Sequence, residues 1–457
     1  MPVTGFFETP KSSRYALRRV NVPKSLLTAP PPGPAGHDDL VLCDLMIDGG
    51  IVADVAASGT LDASLGPDLD HSLVLPGMLD AHAHLDKGHI VGRVRNMTGD
   101  LIGAAAASGP DRTTRWQAED VRRRLEFGIR TAYAKGVVAI RTHLDSASPQ
   151  PPITYPVFRE LRDKWAGRVE LQPSSIGPLD MFMTDEGRAL ADIVAESGGN
   201  LGCGTRFVTA MPSLVPPEFD VVMANIFKLA EERGLDLDMH VDESSDLEAR
   251  TLIRIARMAV KRGFKGRILA GHCCALALQT DEFIQETMDA CKDAGVDIVS
   301  LPAVNMYLQA RGPLAGNSAR KTPQWRGVTL LHELKAHGLK VAIGGDNVRD
   351  PFHAYGDHDM LESFTQAVKI AHLDHPYGDW VTAATSVPAE IMQLDKTFGR
   401  IGKGRSADLI VLKARDYGEM LARFQSDRVV IRSGKAIDTT LPDYRELDDL
   451  VRMPAPV

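Results

Sequence analysis

Residues 72–84 read SLVLPGMLDAHAH, an apolar run that closes on His82 and His84. Two histidines one residue apart on an extended strand point to the same face. Outward from this stretch the same build recurs: an apolar segment, a polar loop, then an amphipathic segment closing on glycine. The later apolar segments are VVAIRTHLD (137–145), VELQPSSI (169–176), NLGCGTRF (200–207), LDLDMHVDE (235–243), RILAGHCC (267–274), VDIVSLPAVN (296–305) and LKVAIGGDN (339–347). Helix candidates between them close at Gly136, Gly198, Gly234, Gly263, Gly295 and Gly338, because glycine takes the left-handed conformation most easily after a helix. In EFDVVMANIFKLAEERG (218–234), Val222, Ile226 and Leu229 fall at i, i+4 and i+7, a stripe that would face a core. Strand and helix alternating in this way predict an α/β chain with a (β/α)₈ TIM-type barrel over residues 73–385. A doubly wound open sheet is the competing architecture.

The flanks read differently. APPPGPAG (29–36) is a loop by composition, since proline breaks helices and cannot donate to a ladder. DLVLCDLMIDGGIVADV (39–55) alternates and turns at Gly49-Gly50 like a β-hairpin. ADLIVL (407–412) and DRVVIRSGKAI (427–437) again read as strands. Residues 1–72 and 386–457 are therefore expected to form a small β-sandwich together.

Composition bounds the function. Of 457 residues, 44% are hydrophobic and 25% charged, which suits a globular chain with a large core. Net charge is −8 with no long basic block, which argues against nucleic acid as a partner. No apolar run nears the ~18 residues of a membrane span, and no apolar h-region precedes the basic residues of the N-terminus. Cys43, Cys203, Cys273, Cys274 and Cys291 lack any CxxC spacing, so neither a disulfide framework nor a thiolate zinc site is expected, and the cytoplasm is the expected compartment.

In a barrel, chemistry is built at the C-terminal ends of the strands. There this chain places His82 and His84, His143 and Asp145, His240 and Glu243, His272, and Asp346. An HxH alone is weak, but further histidines and an aspartate at other strand ends point jointly to a bound metal. Glu243 is a candidate acid/base beside a metal-bound water, or a solvated loop acid flanked by Asp242 and Asp246. His272 is a reacting group or a satisfied core histidine. His143 and Asp145 orient a ligand or form a buried structural pair. Lys87 faces substrate or a surface ion pair. Cys273 and Cys274 read as small buried hydrophobes.

These residues resemble the metal-dependent amidohydrolase superfamily, and within it the cytosine deaminase branch. The resemblance covers nearly the whole chain. It is carried by LPGMLDAHAHLDK (75–87), RTHLD (141–145), MHVDE (239–243), GHCC (271–274), LPAVNMYLQAR (301–311), GGDNVRDPF (344–352) and GRIGKGRSADLIVL (399–412). It implies that His82, His84, His240 and Asp346 hold one divalent ion per chain, Zn²⁺ or Fe²⁺ with Mn²⁺ compatible. It further implies that Glu243 shuttles a proton, that His272 assists at the reacting carbon, and that Asp346 takes a proton as the adduct collapses. NLGCGTRF offers no lysine to bridge two metals, which favours a mononuclear site. The other zinc deaminase chemistry, with HxE and PCxxC, is absent from the sequence.

The chain also departs from the branch. Where cytosine deaminases carry a glutamine that reads the pyrimidine edge, the ungapped register places Pro178; a shift of two would bring Ser175 or Gln172 there. Asn347 stands for a second aspartate, and Phe352 for a tryptophan. Asn347 and Lys87 are shared with relatives that remove an alkylamine from an s-triazine ring. With Gln309 of the VNxxLQxR motif, Lys87, Pro178, Asn347 and Phe352 form the expected substrate-binding set. The expected reaction is hydrolytic deamination of a small nitrogen heterocycle, with a metal-activated water adding to the amino-bearing carbon and ammonia leaving. The alternatives are cleavage of an alkylamine or a cyclic amide, and a catalytically silent barrel used for binding. The expected partners are the small heterocyclic substrate and further copies of the chain in a homo-oligomer.

Overall fold

The computed structural model describes residues 5–205, 218–311, 322–423 and 427–452. Four strands come first: β1 (Arg14–Pro23), β2 (Leu40–Asp48), β3 (Ile51–Ala57) and β4 (Leu73–Pro76). β2 and β3 are the expected hairpin. Gly49 and Gly50 turn it with φ of 58° and 88°, the left-handed pair that a two-residue turn requires. β1 was not legible as a strand, yet it lies inside the sheet, antiparallel to β2 and parallel to β4.

Seven parallel strands follow: β5 (Met78–Ala83), β6 (Val137–Asp145), β7 (Glu170–Ile176), β8 (Leu237–Val241), β9 (Ile268–His272), β10 (Val296–Ser300) and β11 (Val341–Ile343). β5 to β7 form one sheet and β8 to β11 another. Isolated parallel bridges run Ser174–Asn200, Pro178–Gly204, Leu201–Leu237, Gly204–His240 and Ala83–Asp346. The expected strand at 200–207 is thus present as bridges rather than as a regular strand. Its chain passes so close to its neighbours that a Cβ on Gly202 would lie 1.9 Å from the Asp238 carbonyl. Arg206 and Phe207, the end of that segment, lie outside the described residues. The result is an α/β fold of TIM-barrel type. Helices between these strands close at the expected glycines, the one before Gly338 spanning only Leu331–Ala336, and Val222, Ile226 and Leu229 are buried in the main core.

The chain ends in β12 (Leu409–Leu412), β13 (Arg428–Arg432) and β14 (Lys435–Ala436). β12 pairs with β4, so both ends of the chain share one seven-stranded sheet with its own apolar cluster, including Val20, Ile47, Val74 and Ile431. The stretch 72–84, read as one segment, therefore serves two sheets. Its first half joins the terminal strands and its second half carries the histidines. Ala389 and Met392 pack on Leu79 and Val138, beneath the parallel strands. The five cysteines are buried. Among the described residues, no helix is long and apolar enough to cross a membrane.

Candidate metal centre and substrate cavity

The parallel strands bring their C-terminal residues to one place. His82 lies in β5 and His84 just beyond it, His240 in β8, His272 at the end of β9, and Asp346 past β11, bridged to Ala83. All five are buried. His84 Nε2 lies 3.1 Å from His240 Nε2 and 3.3 Å from Asp346 Oδ1, and His82 Nε2 lies 3.7 Å from the same oxygen. His82, His272 and Asp346 form one group able to converge on an ion, and His82, His143 and His240 a second. Close approach is built into the backbone: a Cβ on Gly271 would meet the His82 ring at 2.9 Å.

The electrostatics favour a cation. Burial, followed by the neighbouring histidines or Lys87, holds His82, His84 and His240 well below the usual imidazole range, so each is neutral and offers a lone pair. Burial, with Glu243 and Asp350 nearby, pushes Asp346 well above the carboxylate range. Among the described residues, His82 Nε2 and both Asp346 oxygens are buried without a hydrogen-bond partner. Donors bound at about 2.0–2.2 Å in a tetrahedral array stand about 3.3–3.6 Å apart, close to the separations seen here. A histidine and carboxylate donor set with unserved lone pairs fits a divalent ion.

Behind this cluster, His143 Nε2 lies 3.1 Å from His82 Nδ1 and 3.5 Å from Asp238 Oδ1, so His143 sits against a ring of the cluster. Asp145 is 3.0 Å from Arg112 Nη1 and 3.8 Å from Lys87 Nζ. Lys87 is buried, 5.0 Å from the centre of the Phe352 ring, and so is not in a surface ion pair.

A cavity of about 440 Å³ opens onto these groups. Lys87, Pro178, Gln309, Asn347 and Phe352 all line it, with His84, His240, Glu243 and His272. Glu243 is not a solvated loop acid: its side chain is only 11% exposed and its Oε1 lies 3.3 Å from Asn305 Nδ2, and burial pushes its carboxyl up to about 8 against the opposing pull of Lys87. Burial takes His272 down to about 3. Asn347 donates to Asp350 Oδ2 at 2.7 Å. The Gln172 amide is occupied by Arg141 and the Met392 carbonyl, and the Ser175 hydroxyl by Gly202. Sequence reasoning does not single out Asn305 or Arg112. Asn305 belongs to the VNxxLQxR motif, and contacts both Glu243 and His272.

The sequence pattern of the Amidohydrolase family matches residues 117–437. The chain belongs to the amidohydrolase family. It is a hydrolase acting on carbon–nitrogen bonds other than peptide bonds. The chain is 43% identical to a pterin deaminase of Rhizobium rhizogenes (strain K84 / ATCC BAA-868) over 448 residues, 98% of this chain and 99% of that protein. It is 23% identical to the N-isopropylammelide isopropyl amidohydrolase of Pseudomonas sp. (strain ADP), over 85% of this chain and 94% of that one. Its fold matches a 5-methylcytosine deaminase from Klebsiella pneumoniae liganded with 5-fluorocytosine, with a TM-score of 0.77 at 22% identity, covering 92% of this chain and 97% of the other. Amidohydrolases of this family are metal-dependent, in keeping with the histidine-rich cluster.

Proposed function

We propose that this amidohydrolase hydrolytically deaminates a small, planar 2-amino-4-oxo nitrogen heterocycle of the pterin type. The observation that carries the reading is Glu243, a buried carboxyl raised to about 8, set in the same cavity as the histidine and aspartate cluster. A carboxyl in that position can take up a proton and pass it on. The 43% identity to a pterin deaminase along almost the whole chain supports the ring class.

In this reading His82, His84, His240 and Asp346 hold one divalent ion, Zn²⁺ or Fe²⁺ with Mn²⁺ compatible. Such an ion supplies Lewis acidity that lowers the pKa of water. Glu243 takes one proton from the water as its oxygen adds to the amino-bearing carbon, and delivers that proton to the adjacent ring nitrogen. His272 lies against that carbon. Asp346 accepts the hydroxyl proton of the tetrahedral adduct and passes it to the amino nitrogen, so that the carbon–nitrogen bond breaks and ammonia leaves with an oxo group in its place. Phe352 stacks on the ring, and Lys87 faces its exocyclic oxygen. Pro178 offers no side-chain hydrogen bond, so the edge that a glutamine would read in cytosine stays unpaired. Gln309 and Asn347 complete the polar wall.

The bridges between the two parallel sheets support a closed (β/α)₈ barrel, and the terminal strands a small β-sandwich. We place the first junction at Pro76-Gly77 and the second near residue 400. That moves the expected boundaries, because β4 pairs with β1 and β12 while Ala389 packs under the barrel.

Asn347 and Lys87 favour a second reading, removal of an alkylamine from a triazine ring. Ammonia and alkylamine release from pterin, isocytosine, cytosine and N-isopropylammelide, on one metal-loaded sample, separates the two. The highest kcat/KM is expected for pterin. Cytosine ahead by more than about tenfold, against the ~1–3 kcal/mol cost of an unpaired edge group, would overturn the ring assignment.

A further inference from the structure

Asn305 sits in the helix Pro302–Leu308 that follows β10, and it is fully buried. Its backbone is fixed at both sides: its N–H donates to the Leu301 carbonyl, and its own carbonyl accepts from Gln309 N–H, each at 2.9 Å. The side-chain amide is therefore presented from a rigid support. Its Nδ2 lies 2.9 Å from His272 Nδ1 and 3.3 Å from Glu243 Oε1. These two atoms, 3.4 Å apart, come from the C-terminal ends of different strands and share this one nitrogen.

An amide nitrogen carries two hydrogens and accepts nothing, so each contact is a donation. One hydrogen serves the Glu243 carboxyl. The other requires a lone pair on His272 Nδ1. An imidazole whose Nδ1 offers a lone pair carries its ring hydrogen on Nε2. Among the described residues Nε2 is buried and has no hydrogen-bond partner, and His272 lines the substrate cavity. A buried ring nitrogen without a protein partner, on a side chain that lines the cavity, is open to a ligand there.

We propose that Asn305 is a positioning residue that fixes the Nε2–H tautomer of His272, making it a hydrogen-bond donor to the reacting centre, while its second hydrogen holds the Glu243 carboxyl in reach of the ring. The inference rests on the roles given to His272 and Glu243 above. The reversed amide would set Oδ1 against Glu243 Oε1 and would demand a hydrogen on His272 Nδ1, leaving Nε2 a lone pair. The two orientations thus require opposite tautomers of one ring. A purely structural Asn305, filling space between two strand ends, requires neither.

The test is the ¹⁵N spectrum of the histidine-labelled, zinc-loaded protein, with the His272 resonances assigned by their loss in His272→Gln. Wild type is expected to show the Nε2–H tautomer. Asn305→Asp keeps the shape but removes both donors, and is expected to switch His272 to Nδ1–H. It should also lower kcat on the best ring substrate by about 10²-fold, the usual cost of one preorganised donor, with KM and metal content near wild type. An Nδ1–H tautomer in wild type overturns the proposal, as does an Asn305→Asp protein with unchanged tautomer and kcat within about threefold of wild type, well short of that cost. The wild-type spectrum decides the tautomer even where Asn305→Asp fails to fold. It also decides it where none of the ring substrates is turned over, so failure of the substrate reading is distinguishable from failure of this one.

Discussion

Nε2 of His84 and Nε2 of His240 face each other across 3.1 Å in a buried pocket, 156 residues apart in the chain. A single N–H···N bond could pair these two. It would leave the His82 Nε2 lone pair and both Asp346 oxygens without a partner, at a cost of about 1–3 kcal/mol for each buried polar group. One shared cation would serve all of them.

Elemental analysis of freshly purified protein is therefore expected to return about one equivalent of divalent metal per chain, as one set of three imidazoles and a carboxylate fills one site. His240→Ala should lose most of it. Chelation should lower Tm, since a ligand at 100 times its Kd stabilises the folded state by about 2.7 kcal/mol. Two equivalents would sink the mononuclear reading.

Glu243→Gln preserves the shape of a buried side chain and cannot shuttle a proton. Metal content is expected to stay at the wild-type level while kcat falls by about 10²- to 10⁴-fold, the range for a general acid/base. Retention of more than about a third of wild-type kcat would remove Glu243 from the mechanism on that scale.

Lys87 is a buried cation beside the Phe352 ring, with Asp145 at 3.8 Å. Lys87→Met should lower kcat/KM for oxo-bearing amino rings by about 10- to 150-fold, the worth of a hydrogen bond to a charged group. Asp145 keeps Arg112 at 3.0 Å, so the variant does not strand a buried carboxylate. An equal loss on an amino ring lacking the oxo group would show that Lys87 acts through packing.

What the sequence made legible follows from what each signal depends on. Parallel strands covered on both faces are near-continuous apolar runs, so β6 and β8 to β11 stand out, and HxH fixes two imidazoles on one face whatever surrounds them. β1 was hidden because RYALRRVNVP carries three arginines and its ladder is interrupted between Leu17 and Val20, where Arg19 has a φ of 52°. Its partner strands lie far away in sequence. The division of 72–84 has one local signal, the Pro76-Gly77 dipeptide, which is masked because both halves are apolar; in the structure a Cβ built on Gly77 would lie 2.1 Å from the Val138 side chain. Asn305 is legible as part of a motif but not as a bridge, because its partners lie 33 and 62 residues away along the chain.

The pair Asp359–Arg428 ties the terminal sheet to the helix that follows the loop bearing Asp346. Arg428 lies in β13, and Asp359 caps the helix Met360–Ala371 that follows the loop after β11. Arg428 Nη1 donates to Asp359 Oδ1 at 3.0 Å, Nη2 bonds the other oxygen, and Lys135 Nζ stands 3.6 Å away. Burial pushes the Asp359 carboxyl up, but Arg428, Lys135 and the Leu361 N–H outweigh it and hold the carboxyl below its ordinary value of 3.8. A group whose folded pKa is depressed contributes stability above its unfolded pKa and loses it as pH falls through the folded one. Asp359→Asn should therefore cost about 3–5 kcal/mol near neutrality, the price of breaking a buried pair from one side. The gap between wild type and variant should narrow as pH drops below about 4, because wild-type Asp359 then becomes protonated and also leaves Arg428 facing a neutral partner. Urea unfolding midpoints of both proteins, taken down the pH scale, check the sign. A gap that widens towards acid would mean that the carboxylate is not what holds Arg428 in place.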